Sequence, residues 1–344
     1  MAGGGPVDVS IVSLGSTAGL RRADEALGDS LRRAGASVSI ARALPPAPIP
    51  TLMLTDLAWA RAARSAIVHS LRRLERTPPR AVVYSSVTAA LLWPRPGTIR
   101  FDAPASGNRP GRHGLWQRPL ERSRLRHAPL LLPWSTGALC EAPPGARAGG
   151  RAIVLPVPVQ RSGPLERERD IAAITYAANP SKKGLDRVLA AWRALRGERP
   201  DAGTLVVTGA SAETLRDAGF DIEGEDGVLV AGALAAAEYR ALLRRARVFI
   251  CAPRREDYGI AQLEALADGC LLVTTAAPGP YAALPIAREL DARLVGEDLI
   301  AGLRLAFSDP SADYAERAGA ALEPYSPAAA DRVVAEELLP RLLA

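Results

Sequence analysis

Four ionisable side chains stand out by type and spacing: Lys182 and Lys183 in "NPSKKGLD", and Glu256 and Glu264 in "REDYGIAQLEALADG". The chain carries 43 basic residues, and these two lysines are its only ones, so positive charge elsewhere is supplied by arginine. A compact, mobile ammonium beside the positive start of a helix is a good counter-charge for a diphosphate. Glu264, placed among Ile260, Leu263 and Leu266 in an early helical turn, is suited to accept two hydrogen bonds from a vicinal diol such as a ribose. The backbone N–H groups of Tyr258, Gly259 and Ile260 can point at phosphate oxygens, and Gly259 lets the chain come close to them. Glu256 precedes the helix and is free to reach the hydroxyls of a sugar beyond the phosphates. The competing reading of either pair is an ordinary solvated loop or helix face.

These residues need elements to hold them. An apolar run from Val7 to Leu14 leads into Gly15 and Gly19, then a segment with Ala23, Leu27 and Leu31 at helical spacing, then Val38 and Ile40: strand, glycine loop, helix, strand. Further strands are expected at 81–86, 98–101, 129–134 and 152–157. After the proline-rich, charged stretch 156–170 the alternation restarts, with strands at 171–177, 203–209, 227–232, 248–252 and 271–275. Helices are expected from Leu185 to Leu195, around Tyr239 to Ala246 and from about Gly259. Strands alternating with helices imply parallel sheets covered on both faces. The expected architecture is therefore α/β, with two Rossmann-like domains (1–160 and 161–325) facing each other across a cleft. A C-terminal helix (326–344), capped by Ser326 and Pro327, is expected to pack back on the first domain. Ligands of such folds bind at the carboxyl ends of the strands. In this arrangement Lys182 and Lys183 sit above one strand end and Glu256 and Glu264 above another.

Charge is unevenly spread. Residues 1–150 hold 20 arginines and 9 acids, a net of +11, and since the whole chain is +6 the remainder is −5. A basic half attracts phosphates, yet nothing resembles an aromatic-and-basic strand motif or zinc-finger spacing, so nucleic acid is not an expected partner. Three scattered cysteines, Cys140, Cys251 and Cys270, offer neither a disulfide framework nor a zinc site. The opening "MAGGGPVDVSIVSLGS" does not read as a leader peptide, and no stretch of eighteen apolar residues suggests a transmembrane segment. The expected localisation is cytoplasmic, or peripheral at the inner face of the membrane.

With these motifs assembled, the C-terminal half resembles the retaining, nucleotide-sugar-dependent glycosyltransferases of the GT-B architecture and family 4 type, the glycosyl transferases group 1. The family's two glutamates flanking an aromatic-glycine turn are matched by Glu256, "DYG" and Glu264, and its lysine-glycine loop by Lys183 and Gly184, with Lys182 as a substitute. "LVVTGA" (205–210) and the stretch 227–256 are similar to the family's base-binding strands and the helix before the signature. The likeness is specific from about 171 to 281 and only general before it. It implies a hexose-like sugar moved from a nucleoside diphosphate donor to an acceptor, with retention of anomeric configuration. It implies no metal and no cofactor besides the donor substrate, because cationic side chains and helix amides neutralise the leaving diphosphate. Carried over residue by residue, Lys183 binds the diphosphate, Glu264 the ribose, Glu256 a donor-sugar hydroxyl, and the amides of Tyr258, Gly259 and Ile260 the phosphates, while Gly15 lies under the diphosphate from the other side.

The sequence departs from that pattern in two places. Where many members have an arginine before the lysine, this chain has Asn179, and Lys182 is the expected source of the missing charge. Where many have a histidine at the end of an N-terminal strand, this chain has Phe101 and Asp102, and Asp102 is the candidate to orient acceptor or hydroxyl. Arg109, Arg112, Arg118, Arg122, Arg124 and Arg126 crowd one stretch, suiting a phosphorylated or membrane-associated acceptor; a solvated helix face is the competing reading. Two other functions stay open: a sugar-nucleotide-binding protein impaired in catalysis, motivated by Asn179 and Asp102, and a dinucleotide-dependent oxidoreductase, suggested by "GSTAG" although it lacks the three-glycine spacing.

Overall fold

Runs of β-branched residues fall where the backbone is extended and buried on both sides. The computed structural model describes residues 6–47, 49, 51–73, 78–109, 111–147, 149–166 and 168–344. They form two units: Met1–Pro158 with Tyr325–Ala344, and Val159–Pro324.

The first unit is built on a parallel sheet of β1 (Val9–Ser13), β2 (Val38–Arg42), β3 (Ala81–Tyr84), β4 (Thr98–Phe101) and β5 (Leu131–Pro133), in the order β2-β1-β3-β4-β5. Alternate residues feed opposite cores, as the strand pleat requires. Ile11 and Val83 join Leu27 and Leu31 on one face; Val12, Val82 and Tyr84 join Ala60 and Ile67 on the other. The segment 152–157, expected as a sixth strand, is not one. Ile153 N donates to the Leu131 carbonyl and Leu155 N to that of Pro133, but only Ala152 bridges β5. Pro156 and Pro158 have no N–H with which to continue a ladder.

The C-terminal segment belongs to this first unit. Ser326 Oγ accepts from Ala329 N at 3.1 Å and Pro327 occupies the first turn, so the helix begins as its capping chemistry dictates. Ala330, Val334, Leu338 and Leu342, four residues apart, bury against the Leu27, Leu31 and Ile153 face. Asp331 accepts from Ser30 Oγ at 2.5 Å and from Arg33 Nη2 at 2.7 Å. A π-helical turn at Val334–Leu338 precedes Pro340, which cannot donate to the ladder.

The second unit repeats the plan with β6 (Ile171–Tyr176), β7 (Leu205–Thr208), β8 (Val228–Gly232), β9 (Ala246–Cys251) and β10 (Leu271–Thr274), in the order β10-β9-β6-β7-β8, all pairs parallel. The chain runs from β6 outward through β7 and β8, then returns to place β9 on the other side of β6. That reversal is the topological switch point, where the loops leaving β6 and β9 diverge and open a crevice at their carboxyl ends. The loop after β6 holds both lysines; the loop after β9 holds Glu256 and leads to Glu264.

Candidate active site

The lysine loop is locked to the end of β9 by a contact that only glycine permits. β6 ends at Tyr176, and Asn179 caps a one-turn helix, Pro180–Lys183, by accepting from Lys182 N at 2.9 Å through Oδ1. Asn179, expected in the place of a diphosphate-binding arginine, is thus exposed, brings no charge, and spends its oxygen on the backbone. Gly184 then takes φ +66°, and a Cβ there would lie 1.9 Å from the Ala252 carbonyl oxygen. Arg254 completes the join: its N–H donates to the Lys182 carbonyl (2.9 Å), its Nη1 to the Ser181 carbonyl (2.7 Å), and its guanidinium grips the Asp186 carboxylate at 2.9 and 2.8 Å.

This join brings the predicted charges together. Lys183 Nζ donates to Glu256 Oε2 at 2.6 Å, with Glu256 4% exposed. Lys182 Nζ meets Asp257 Oδ2 at 2.5 Å, and Arg255 Nε donates to Oδ1 of the same carboxylate at 3.0 Å. Lys182, expected to replace a missing arginine, therefore has its charge partly offset by Asp257. Counted formally, Lys182, Lys183 and Arg255 against Glu256 and Asp257 leave one net positive charge.

After Asp257 the chain turns at Gly259, φ +89°, where a Cβ would come within 2.9 Å of the Tyr281 ring. The helix Ile260–Ala267 starts there with Gly259 as its N-cap. Its first-turn N–H groups have no intrahelical acceptor and add positive potential at the carboxyl edge of the sheet. The Glu256 backbone is held from behind, its N–H donating to the Pro278 carbonyl at 3.0 Å. Glu264 is 5% exposed, and Arg240 Nη1 approaches its Oε1 at 3.7 Å. Arg240 also donates through Nε to the fully buried Asp268 at 2.6 Å and through Nη2 to the Gln160 carbonyl at 2.7 Å. Next to it, burial and the Glu264 charge push the Tyr239 phenol well up, so it stays protonated.

Gly15 and Asp102 belong to the first unit. Gly15, φ +56°, follows β1 at that sheet's own switch point, and its carbonyl accepts from Arg21 Nη1 at 2.8 Å. Asp102 follows β4, half-buried, with Oδ1 accepting from Ala103 N at 2.8 Å. The crowded arginines divide by role. Arg109 forks onto the buried Asp56 at 2.6 and 3.1 Å, Arg118 donates to the Arg109 and Gly111 carbonyls, and Arg124 donates to Leu91 and lies over the Trp93 ring. Arg112, Arg122 and Arg126 remain exposed.

Gln262, which donates to Glu256, Arg240, beside Glu264, and Arg254, on the lysine loop, touch the candidate site and were missed by motif reasoning. Gln262 alone left a trace in the sequence, as an uncharged polar residue in the apolar helix "IAQLEALA". Concavities of about 330 Å³ beside Glu25, Asp29 and Arg42, and of about 270 Å³ beside Arg193, Arg196 and Asp226, are lined by ion-paired side chains and include no predicted site residue. Among the described residues no helix is long and apolar enough to cross a membrane, and no group of three His, Cys, Asp or Glu side chains is placed to hold a metal ion.

Residues 158–285, the part that carries this cluster, match the family described as glycosyl transferases group 1. No curated protein sequence matches the chain. Among solved structures the chain is similar to WaaG, a glycosyltransferase involved in lipopolysaccharide biosynthesis, with a TM-score of 0.69 at 15% identity, covering 95% of this chain and 100% of that one. Anabaena HepE in complex with UDP gives 0.68 at 12% identity over 98% and 100%. Sucrose-phosphate synthase from Thermosynechococcus elongatus gives 0.70 at 14% identity over 94% and 96%. At such identities the likeness establishes the fold: two Rossmann-like halves of the GT-B type.

Proposed function

We propose that the protein is a glycosyltransferase that moves a hexose-like sugar from a nucleoside diphosphate to an acceptor, with retention of anomeric configuration and without a bound metal. The observation that carries this reading is the pairing of Lys183 Nζ with Glu256 Oε2 at 2.6 Å, made by two loops at one switch point inside the segment that matches the family. When the bond from sugar to diphosphate breaks, negative charge grows on the leaving phosphate. Lys183 and the amides of Tyr258, Gly259 and Ile260 stabilise it, and preorganised donors of this kind contribute most of such a rate gain. Glu256, kept close to the ammonium, accepts from a hydroxyl of the donor sugar and fixes it against the diphosphate. Glu264, steadied by Arg240, takes the ribose hydroxyls. Lys182 adds to the positive potential, and Asn179 shapes the loop that presents both lysines.

HepE in complex with UDP, and in other crystals with UDP and glucose or UDP-glucose, supports a uridine nucleotide as the first donor to try. Gly15 and Asp102 are the residues of the N-terminal unit assigned to this reaction, Gly15 to the diphosphate and Asp102 to the acceptor or a sugar hydroxyl. The exposed Arg112, Arg122 and Arg126 suit an acceptor that bears phosphate or lies at a membrane surface, which is consistent with a protein working at the inner face of a membrane.

A panel of UDP-, GDP- and ADP-sugars, screened for protection against thermal unfolding with and without EDTA, identifies the donor and tests metal independence. With the selected donor, and water as the acceptor of the sugar in the assay, Glu256→Gln and Lys183→Ala are each expected to lower nucleotide release on the order of a hundredfold or more while keeping the fold. Turnover at the wild-type level in both variants refutes the assignment, and saturable binding with no release by the wild type identifies a binding protein in its place.

A further inference from the structure

Glu256 is gripped from a second side. Gln262 Nε2 donates to Glu256 Oε2 at 2.9 Å, the same oxygen that Lys183 Nζ holds at 2.6 Å. Neither grip falls on Oε1. Gln262 is 1% exposed in a helix whose other residues, Glu264 apart, are apolar. A buried amide in such surroundings is costly unless it is fully hydrogen-bonded. This one is not, because its Oε1 has no hydrogen-bond partner among the described residues. A leucine would fill the space without that cost, so stability does not explain the glutamine.

Its orientation is set from behind. Nε2 also lies 3.6 Å from Cys251 Sγ, Cys251 Sγ donates to Thr274 Oγ1 at 3.2 Å, and Thr274 Oγ1 and Tyr281 OH are 2.9 Å apart. The Tyr281 ring in turn packs where Gly259 has no Cβ. The chain of contacts runs from β9 through β10 to the 281 loop and ends on one carboxylate oxygen. We propose that Gln262 is a positioning residue for Glu256: with Lys183 it immobilises Oε2 and so presents Oε1 to the donor sugar in one orientation. The inference rests on the reading of Glu256 as the carboxylate that meets the donor.

The test uses the full chain and the member of the UDP-, GDP- and ADP-sugar panel that gives the largest thermal protection, with nucleotide release as the rate and calorimetry as the affinity. Gln262→Leu keeps the volume and removes the donor. It is expected to lower kcat about tenfold, the equivalent of about 1.4 kcal/mol, with Kd for the donor changed less than about twofold, since the interaction is used in turnover rather than in binding. In a Glu256→Gln background the same substitution is expected to have no further effect. Should the leucine variant fail to fold, Gln262→Met serves instead, flexible enough to fill the space.

A Gln262→Leu enzyme with the wild-type kcat, measured while Glu256→Gln shows its loss of roughly a hundredfold, overturns the positioning role and leaves the proposed function standing. Equal losses in both backgrounds, accompanied by a lowered Tm, also overturn it, in favour of packing. If the wild-type protein releases nucleotide from no sugar in the panel, the functional reading fails and this inference falls with it.

Discussion

Gly184→Ala probes the join on which the candidate site depends. The residue sits at φ +66°, where an alanine is strained by about 1–2 kcal/mol. Its Cβ would lie 1.9 Å from the Ala252 carbonyl oxygen, and real Cβ contacts stay beyond 3.0 Å, so loop and strand must part by at least 3.0 − 1.9 = 1.1 Å. Two hydrogen bonds cross that seam, from Arg254 N to the Lys182 carbonyl at 2.9 Å and from Arg254 Nη1 to the Ser181 carbonyl at 2.7 Å. Displacement of that size breaks both, at about 1 kcal/mol each. The total is about 3–4 kcal/mol, or roughly 6–16 °C in the melting midpoint of a unit of this size. The same movement draws Lys183 from Glu256, and donor affinity falls roughly tenfold or more. The control is Gly224→Ala, also at positive φ (+80°) but with nothing within 4 Å of the added Cβ. It isolates the backbone strain and leaves donor affinity untouched. Calorimetric melting and titration of the selected nucleotide sugar read both quantities. A Gly184→Ala protein as stable as Gly224→Ala, with wild-type affinity, shows that the seam is not what sets the lysines.

Two further outcomes concern the N-terminal unit. Burial raises the Glu121 carboxyl to about 7, against the pull of the Ala105 and Ser106 N–H groups and Arg109. Its native pKa exceeds its unfolded value, so the native state binds the extra proton. The group's contribution is full below the unfolded pKa and is lost as pH rises through about 7. Between about pH 5 and pH 8 it removes about 3 kcal/mol of stability. Glu121→Gln still accepts from Ala105 N and is expected to flatten that slope in urea denaturation; an unchanged slope counts against the buried carboxyl. Leu338→Ala hollows the seat of the C-terminal helix, where Leu338 is 0% exposed among Leu31, Ile153 and Val334. It is expected to cost roughly 2–5 kcal/mol in the first unit, with Kd for the donor, whose proposed lysine and glutamate contacts lie in the second unit, unchanged. An unshifted unfolding midpoint refutes that packing.

Local chemistry made much of this legible in the sequence. Short β-branched apolar runs bounded by turn residues favour strands buried on both faces, so the two parallel sheets were expected from the alternation of strand and helix patterns, and Ser326–Pro327 marked a helix start because its capping groups act within one turn. The lysine pair and the two glutamates were conspicuous by type. The false sixth strand at 152–157 shows the limit of that reading: an apolar run interrupted by Pro156 and Pro158 can lie beside a sheet without supplying the N–H groups that make a strand.

What the sequence determined by itself was an inventory of charge types and their place along the chain. Tertiary structure decided the pairings. Glu256 is 73 positions from Lys183, and only the parallel registration of β6 beside β9, with Gly184 pressed on Ala252, brings ammonium and carboxylate to 2.6 Å. The same closure gave Asp257 to Lys182, and the turn at Gly259 aimed Gln262 at Glu256, whereas the Asn179 cap, three residues from its donor, is local. Helical spacing marks a residue as buried; it does not say which buried polar atom it will meet. That depends on distances across elements, which are set by packing rather than by position in the chain.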